Sequence, residues 1–306
     1  MSSKICFYHY PCADGVTSAW CVRKAIPDIK YWGIKPQDDQ ITDEKYKGKD
    51  VIFVDVTPSE RKLVHMLEVC KSVIILDHHI TNEKIINKYV GHPKLTAVFD
   101  MHRSGCQLAW DYFHLNVGSK TPLPRPWFVD YVGDRDLWQF ELPNSKLINM
   151  ALMELDYLDI NELEKLYQLT KNEKERDTFI NGKMLPTARV LEMKNEKILK
   201  IALSGACRRS MNVKGVEYDV WVANTFNYLS SELGNRLMYK KFADGSSPHF
   251  AVIWSYKFND NLWQVSLRSL DIDVSPIAVS FGGGGHKQAS GFNFKGDFQS
   301  LFTKHY

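Results

Sequence analysis

Short apolar runs at residues 5–9, 51–56 and 73–76, each rich in β-branched or aromatic side chains, mark the first third of the chain. Between them lie helix-like segments at 16–25 and 60–70, the second carrying apolar Leu63, Val64, Leu67 and Val69. Strands that alternate with helices predict β-α-β units and a parallel sheet. In such sheets ligands bind beyond the carboxyl ends of the strands. Those ends carry residues 9–14 after the first run, Asp55 within the second, and Asp77, His78 and His79 after the third.

Further on, a helix is predicted at 104–115 with Ser104 as its N-cap, followed by the proline-rich connector TPLPRP at 121–126. Residues 160–200 are rich in Lys, Glu, Asn and Leu without strand-like alternation and read as helical. Strand-like runs return at 218–223, 249–255 and 262–267, a helix is predicted at 229–239, and FGGGGHKQASGF occupies 281–292. The expected architecture is α/β. A parallel-sheet N-terminal domain at 1–160 is joined by a helical linker at 161–205 to a smaller mixed-sheet domain at 206–306, with the active site in the cleft between them.

Composition narrows the function. With 306 residues, 44% hydrophobic and 25% charged, the chain has material for two packed cores. A formal net charge of +3 from scattered basic residues suits a small anionic ligand better than a long duplex nucleic acid. The six cysteines (Cys6, Cys12, Cys21, Cys70, Cys106 and Cys207) form no C-x-x-C pair and read as reduced thiols. No stretch approaches the ~18 consecutive apolar residues of a membrane helix, and the start MSSKICFYHY lacks a signal peptide's apolar run. A cytoplasmic protein with no membrane partner is expected.

The chemistry-bearing residues form a set. His9, Asp14, Asp55, His78, His79 and Asp134 supply the carboxylates and imidazoles that hold two divalent ions in metal-assisted hydrolases, and oxygen with imidazole ligation suits Mn²⁺ or Mg²⁺. Asp136 competes with Asp134 for one role, since GDRDLW offers both, and the register favours Asp134. Cys12 reads equally as a ligand or as a small buried filler. Ser104 and Gly105 read as a helix cap. Tyr8, Tyr10, Trp138 and Phe281 are candidates for stacking on a base, and Asn224 for a substrate contact.

The motifs HYPCADG (9–15), FVDV (53–56), LDHH (76–79) and GDRDLW (133–138) resemble, in order and in spacing, the successive motifs of DHH-superfamily phosphoesterases. FGGGGHKQASGF, with VSLRS (265–269) upstream, is similar to the DHH-associated C-terminal domain. The resemblance implies that Asp14 binds one metal, that Asp55 bridges two, and that His78 and Asp134 complete the second site. It implies that His79 contacts the scissile phosphate or aids the leaving group, with Asp77 orienting an imidazole. Arg268 and His286 would hold the substrate's far phosphate or terminal ribose, and the backbone of Gly282, Gly283, Gly284 and Gly285 would approach the nucleotide closely.

The chain departs from the commoner H-x-x-x-D-x-D first motif. Cys12 stands where an aspartate is usual, as in an H-x-x-C-x-D-G branch, and this softer ligation shifts preference toward Zn²⁺ or Mn²⁺ over Mg²⁺. The implied function is a nanoRNase-like phosphodiesterase that uses metal-activated water to cleave short oligonucleotides, or linear or cyclic dinucleotides, to mononucleotides. The alternatives are a phosphomonoesterase acting on 3′-phosphoadenosine 5′-phosphate, a pyrophosphatase or polyphosphatase, and a nucleotide- or nucleic-acid-binding protein with a degraded site. A homodimer is compatible with each of these readings.

Overall fold

The computed structural model describes residues 3–36, 41–115, 123–154 and 159–305; Thr121 and Pro122 of the proline-rich connector lie outside the described residues. The chain divides into two compact units, Met1–Leu191 and Glu192–Tyr306.

The first unit is built on five parallel strands: β1 (Lys4–His9), β2 (Lys30–Ile34), β3 (Asp50–Val54), β4 (Ser72–Asp77) and β5 (Leu95–Phe99). Their order is β2-β1-β3-β4-β5. The helices are α1 (Ala13–Ala25), α2 (Asp43–Tyr46), α3 (Glu60–Val69), α4 (Ile80–Tyr89), α5 (Gly105–Trp110), α6 (Trp127–Asp136), α7 (Ser145–Glu154), α8 (Ile160–Leu169) and α9 (Glu173–Phe179). A further helix, α10 (Leu185–Ser204), carries the chain across the division between the units.

Side chains alternate across a strand, and the central strands are apolar on both faces because both faces are covered. Cys6, Ile52, Val54 and Leu76 pack with Val16, Trp20, Cys106, Trp110 and Phe128. Their neighbours Phe7, Val51, Phe53, Val73 and Ile75 pack on the other side with Leu63, Met66 and Ile86. The edge strands β2 and β5 lack this signature. Lys30, Tyr31 and Trp32 are exposed, and β5 (LTAVF) is only partly buried and broken by Thr96.

Two local departures from the sequence expectation bear on the site. Helix α1 begins three residues earlier than the predicted start at 16, which takes Asp14 into its first turn. The predicted helix at 104–115 is α-helical only through Trp110 and then widens into a π turn, Asp111–Leu115.

The second unit holds a seven-stranded sheet: β6 (Cys207–Val213), β7 (Val216–Asn224), β8 (Phe250–Lys257), β9 (Leu262–Arg268), β10 (Gly284–Gly285), β11 (Ala289–Phe294) and β12 (Phe302–His305). The order is β10-β11-β9-β8-β7-β6-β12. The β7–β8 pair is parallel and the others are antiparallel, so the sheet is mixed. Helix α11 (Ser230–Met238) covers one face through Leu233 and Leu237 on Trp221, Ala251 and Ile253. Helix α12 (Ser275–Ser280) covers the other through Ile277 and Ala278 on Val252, Val265 and Leu267. Among the described residues no helix is long and apolar enough to cross a membrane.

Candidate metal centre

The carboxyl ends of three adjacent strands deliver the cluster. His9 ends β1, Asp55 follows β3, and Asp77 ends β4 just before His78 and His79. Asp55 holds a left-handed backbone at φ 58°, a conformation that a non-glycine residue keeps only where its surroundings enforce it. Here its N–H donates to the Leu76 carbonyl at 2.9 Å. Asp14 is fixed from the opposite side, because the first two N–H groups of α5 donate to its two oxygens, Gly105 N to Oδ2 at 2.7 Å and Cys106 N to Oδ1 at 2.8 Å. A side chain at Gly105 would put its Cβ 2.5 Å from the Asp55 Cβ, so only glycine lets α5 come this close. Ser104 and Gln107 form a capping box that sets the start of that helix.

The contacts converge on Asp55. Its Oδ2 lies 3.3 Å from His9 Nδ1 and its Oδ1 lies 3.1 Å from His78 Nε2, so each oxygen faces a different imidazole. His78 Nε2 is also 3.5 Å from Asp14 Oδ2 and 3.4 Å from Asp136 Oδ2. Ligand atoms of Asp14, Asp55 and His78 can approach one another within 4.8 Å, as can those of His9, Asp55 and His79. Asp77 accepts rather than ligates: His79 Nδ1 bonds its Oδ1 at 2.8 Å, beside the main-chain N–H groups of His78 and His79.

The expected order within GDRDLW is corrected by the geometry. Asp136 reaches His78, whereas the buried Asp134 carboxylate accepts the N–H of Glu141 at 2.9 Å and of Leu142 at 3.4 Å. Residues two apart on a helix point about 200° apart, so one side of α6 can serve the cluster with only one of them. Asp134 instead ties down the loop that follows α6.

Cys12 occupies the N-cap position of α1 and shares a hydrogen bond with His9. Burial and the Asp55 charge push its thiol up, against the His9 bond. The sulfur therefore belongs to the cluster's surroundings rather than to the apolar core.

Electrostatics mark the cluster as deficient in positive charge. Burial, with Asp55 and Asp136 nearby, raises the Asp14 carboxyl well above its ordinary range. Burial likewise raises Asp136, partly offset by His78. Burial opposes charge on His9, but the bonds to Asp55 and Cys12 prevail and push it up to about 11. His78 is raised in the same way by Asp55, Asp136 and Asp14. Asp55 falls well below the carboxylate range, where its imidazole bonds outweigh burial. Among the described residues no lysine or arginine forms an ion pair with Asp14, Asp55, Asp77 or Asp136. Asp136 Oδ2 is buried and has no hydrogen-bond partner. Buried carboxylates need a positive partner, and the oxygen and imidazole donors fit divalent cations of the Mn²⁺ and Mg²⁺ type.

The remaining predicted residues lie in the second unit. Arg268 ends β9 and is half-buried; it donates to the Leu267 carbonyl at 2.8 Å and to Ser231 Oγ at 2.8 Å, and burial pulls it down to about 10. The glycine run serves the sheet's own packing. A Cβ at Gly283 would sit 2.0 Å from the Gly291 carbonyl oxygen, one at Gly285 would sit 2.6 Å from that of Ala289, and Gly285 has φ 135°. Gly284 pairs with Gly291, and the His286 N–H donates to the Ala289 carbonyl at 2.9 Å.

Sequence reasoning missed several supporting groups. Thr57 and Asn82 bond Asp77, and the α5 amides clasp Asp14. The S-x-x-Q pattern from Ser104 signals the start of that helix but not which carboxylate it receives.

Residues 4–129 match the model of the DHH family, N-terminal domain. An uncharacterized protein of Acanthamoeba polyphaga mimivirus is 28% identical over 314 residues, covering 95% of this chain and 68% of its own length. Oligoribonuclease NrnB of Bacillus subtilis is 26% identical over 247 residues, covering 80% of this chain and 58% of that protein, so this chain spans little more than half of it. Among solved structures, RecJ in complex with Mn²⁺ from Thermus thermophilus superposes with a TM-score of 0.50 at 16% identity, covering 98% of this chain and 50% of that one, a likeness of fold.

Proposed function

Residues 4–129 form a DHH-family N-terminal domain, and from that premise we propose that the chain is a divalent-metal-dependent phosphodiesterase of short oligonucleotides or dinucleotides. The observation that carries the reading is the convergence of Asp14, Asp55, His78 and Asp136 with, among the described residues, no lysine or arginine paired to the acids and with one buried carboxylate oxygen unbonded. The similarity to an oligoribonuclease supports this substrate class.

Asp14, Asp55, His78 and Asp136 would hold one ion. His9 and Asp55, with Cys12 beside them, would hold a second, and Asp55 has one oxygen for each. Bound there, divalent ions lower the pKa of a coordinated water and neutralise charge on phosphoryl oxygens. The protein's own part is positioning. Main-chain amides fix the Asp14 oxygens, the Asp77 carboxylate fixes the His79 ring, and His79 would then donate toward the phosphate or the leaving oxygen. In the second unit Arg268, whose hydrogen bonds go only to neutral groups, would take a phosphate remote from the bond being cleaved. The backbone at Gly283–Gly285 and His286 would flank that part of the nucleotide.

The test is turnover, read by chromatography, of a panel containing 5′-pApA, longer RNA, a cyclic dinucleotide, 3′-phosphoadenosine 5′-phosphate and pyrophosphate with Mn²⁺. Fastest turnover of the dinucleotides and short RNA is expected. Hydrolysis of the phosphomonoester or pyrophosphate alone would overturn the diesterase reading.

A further inference from the structure

The hydrogen bonds around Asp77 extend the site beyond the four sequence motifs. Asp77 is buried and collects five donors. Its Oδ1 takes the main-chain N–H of His78 at 2.8 Å, that of His79 at 3.1 Å, and His79 Nδ1 at 2.8 Å. Its Oδ2 takes Thr57 Oγ1 at 2.6 Å and Asn82 Nδ2 at 2.7 Å. Thr57 and Asn82 are themselves buried, and they come from different segments: Thr57 from between β3 and α3, Asn82 from the first turn of α4.

We propose that Thr57 and Asn82 are positioning residues. They pin the Asp77 carboxylate in one rotamer, so that Oδ1 is turned to His79 Nδ1 and the imidazole ring is held at one angle. This rests on the phosphodiesterase reading for its consequence in turnover, and on geometry alone for the ring orientation.

The physical reason is a count of donors and lone pairs. A carboxylate offers about four acceptor positions. Backbone N–H and amide NH₂ groups can only donate, so this crowded carboxylate has no place for a proton of its own. The ring nitrogen facing Oδ1 is therefore the donor. With Oδ2 held by two side chains, the carboxylate cannot turn away from the ring without breaking two buried hydrogen bonds. Without Thr57 or Asn82 that constraint is lost, and the imidazole gains a wider range of ring angles. Outer partners of this kind typically change activity by roughly 10–100-fold.

The experiment uses the full chain. Thr57→Val removes the hydroxyl at nearly constant shape, Asn82→Leu removes the amide, and Thr57→Ser restores the hydroxyl. Crystal structures of the metal-free wild type and variants report the His79 ring orientation. In the wild type the ring should take one orientation, with Nδ1 on Asp77. In Thr57→Val and Asn82→Leu it should spread over several orientations or leave Asp77. With 5′-pApA and Mn²⁺, kcat should fall about 10–100-fold while KM and the calorimetric Mn²⁺ affinity hold, and Thr57→Ser should recover kcat. An unchanged His79 ring orientation in both variants overturns the proposal, as does a loss of Mn²⁺ affinity that matches the loss of kcat. If wild-type protein does not cleave 5′-pApA, the functional reading fails, while the variant structures still decide the role of Thr57 and Asn82.

Discussion

The two units partner their charged groups differently. In the first, Asp111 shows what a structural acid looks like here: Arg103 and Arg125 clasp it at 2.9 and 2.8 Å. Among the described residues Asp14, Asp55, Asp77 and Asp136 have no lysine or arginine partner and lean on imidazoles and amides. In the second unit the acids are the satisfied partners. Arg208 bonds Asp219 at 2.6 Å and Asp244 at 2.5 Å, and Arg236 bonds Glu196 at 2.9 Å. Arg268 there differs, with its hydrogen bonds going to carbonyl and hydroxyl oxygens. Among the described residues the first unit thus has clustered acids without a lysine or arginine partner, and the second has a half-buried arginine without an acid. A charge left unpaired at partial burial is costly, which is the ground for proposing a divalent cation in the first unit and a phosphate in the second.

The largest effect should come from Asp55, which both imidazoles share. Asp55→Ala should lower kcat/KM by well over the roughly 100-fold that loss of an outer partner costs, and calorimetry should show Mn²⁺ binding lost as well. Retained Mn²⁺ stoichiometry would remove Asp55 from the centre of the account.

The two aspartates of α6 give a sharper contrast. Asp136→Ala should abolish tight Mn²⁺ binding and leave the melting temperature of the metal-free protein within a few degrees. Asp134→Ala leaves the Glu141 and Leu142 amides without their acceptor and should cost about 1–3 kcal/mol of stability, with the smaller effect on kcat. The reverse pattern would restore the order expected from the sequence.

For the second unit, Arg268→Ala should raise KM for 5′-pApA by roughly 10–100-fold, the value of about 1.5–3 kcal/mol for a hydrogen bond to a charged group. Bis-p-nitrophenyl phosphate, which has no second phosphate, should be much less affected. Equal losses on both would make Arg268 a support of the fold.

The smallest effect is on pH. His9 is pushed up to about 11 in the metal-free cluster and His78 is raised too. A raised histidine stabilises fully below its ordinary value near 6.5, and that stability is lost as pH climbs toward the folded value. Urea unfolding with chelator should therefore show stability declining between about pH 6.5 and 10. With Mn²⁺ the decline should be offset, because ligation requires the deprotonated ring and strengthens with pH. A flat profile without metal would mean that the imidazoles are not held protonated by the acids.

Much of this was legible in the chain, for a physical reason. Central parallel strands must be apolar on both faces, so 51–56 and 73–76 stand out, and the polar residues that interrupt them fall at the sheet edge. The edge strands Lys30–Ile34 and Leu95–Phe99 have shorter, interrupted apolar stretches, because an edge strand is less buried, and they stand out less. The register of Asp134 and Asp136 was not legible either, since motif spacing does not report which side of a helix faces inward. Thr57 and Asn82 gave no signal, because an outer hydrogen bond depends on where α3 and α4 begin rather than on residue pattern. Cys12 was half legible: its position beside His9 is given by the first motif, whereas its burial next to Asp55 is a property of the fold.

The most direct measurement is turnover of 5′-pApA by full-length protein after exhaustive chelation and again after Mn²⁺ is restored. The account predicts no AMP from the chelated protein and prompt AMP once Mn²⁺ returns, with Asp136→Ala failing to recover. Full turnover by the chelated protein would contradict it.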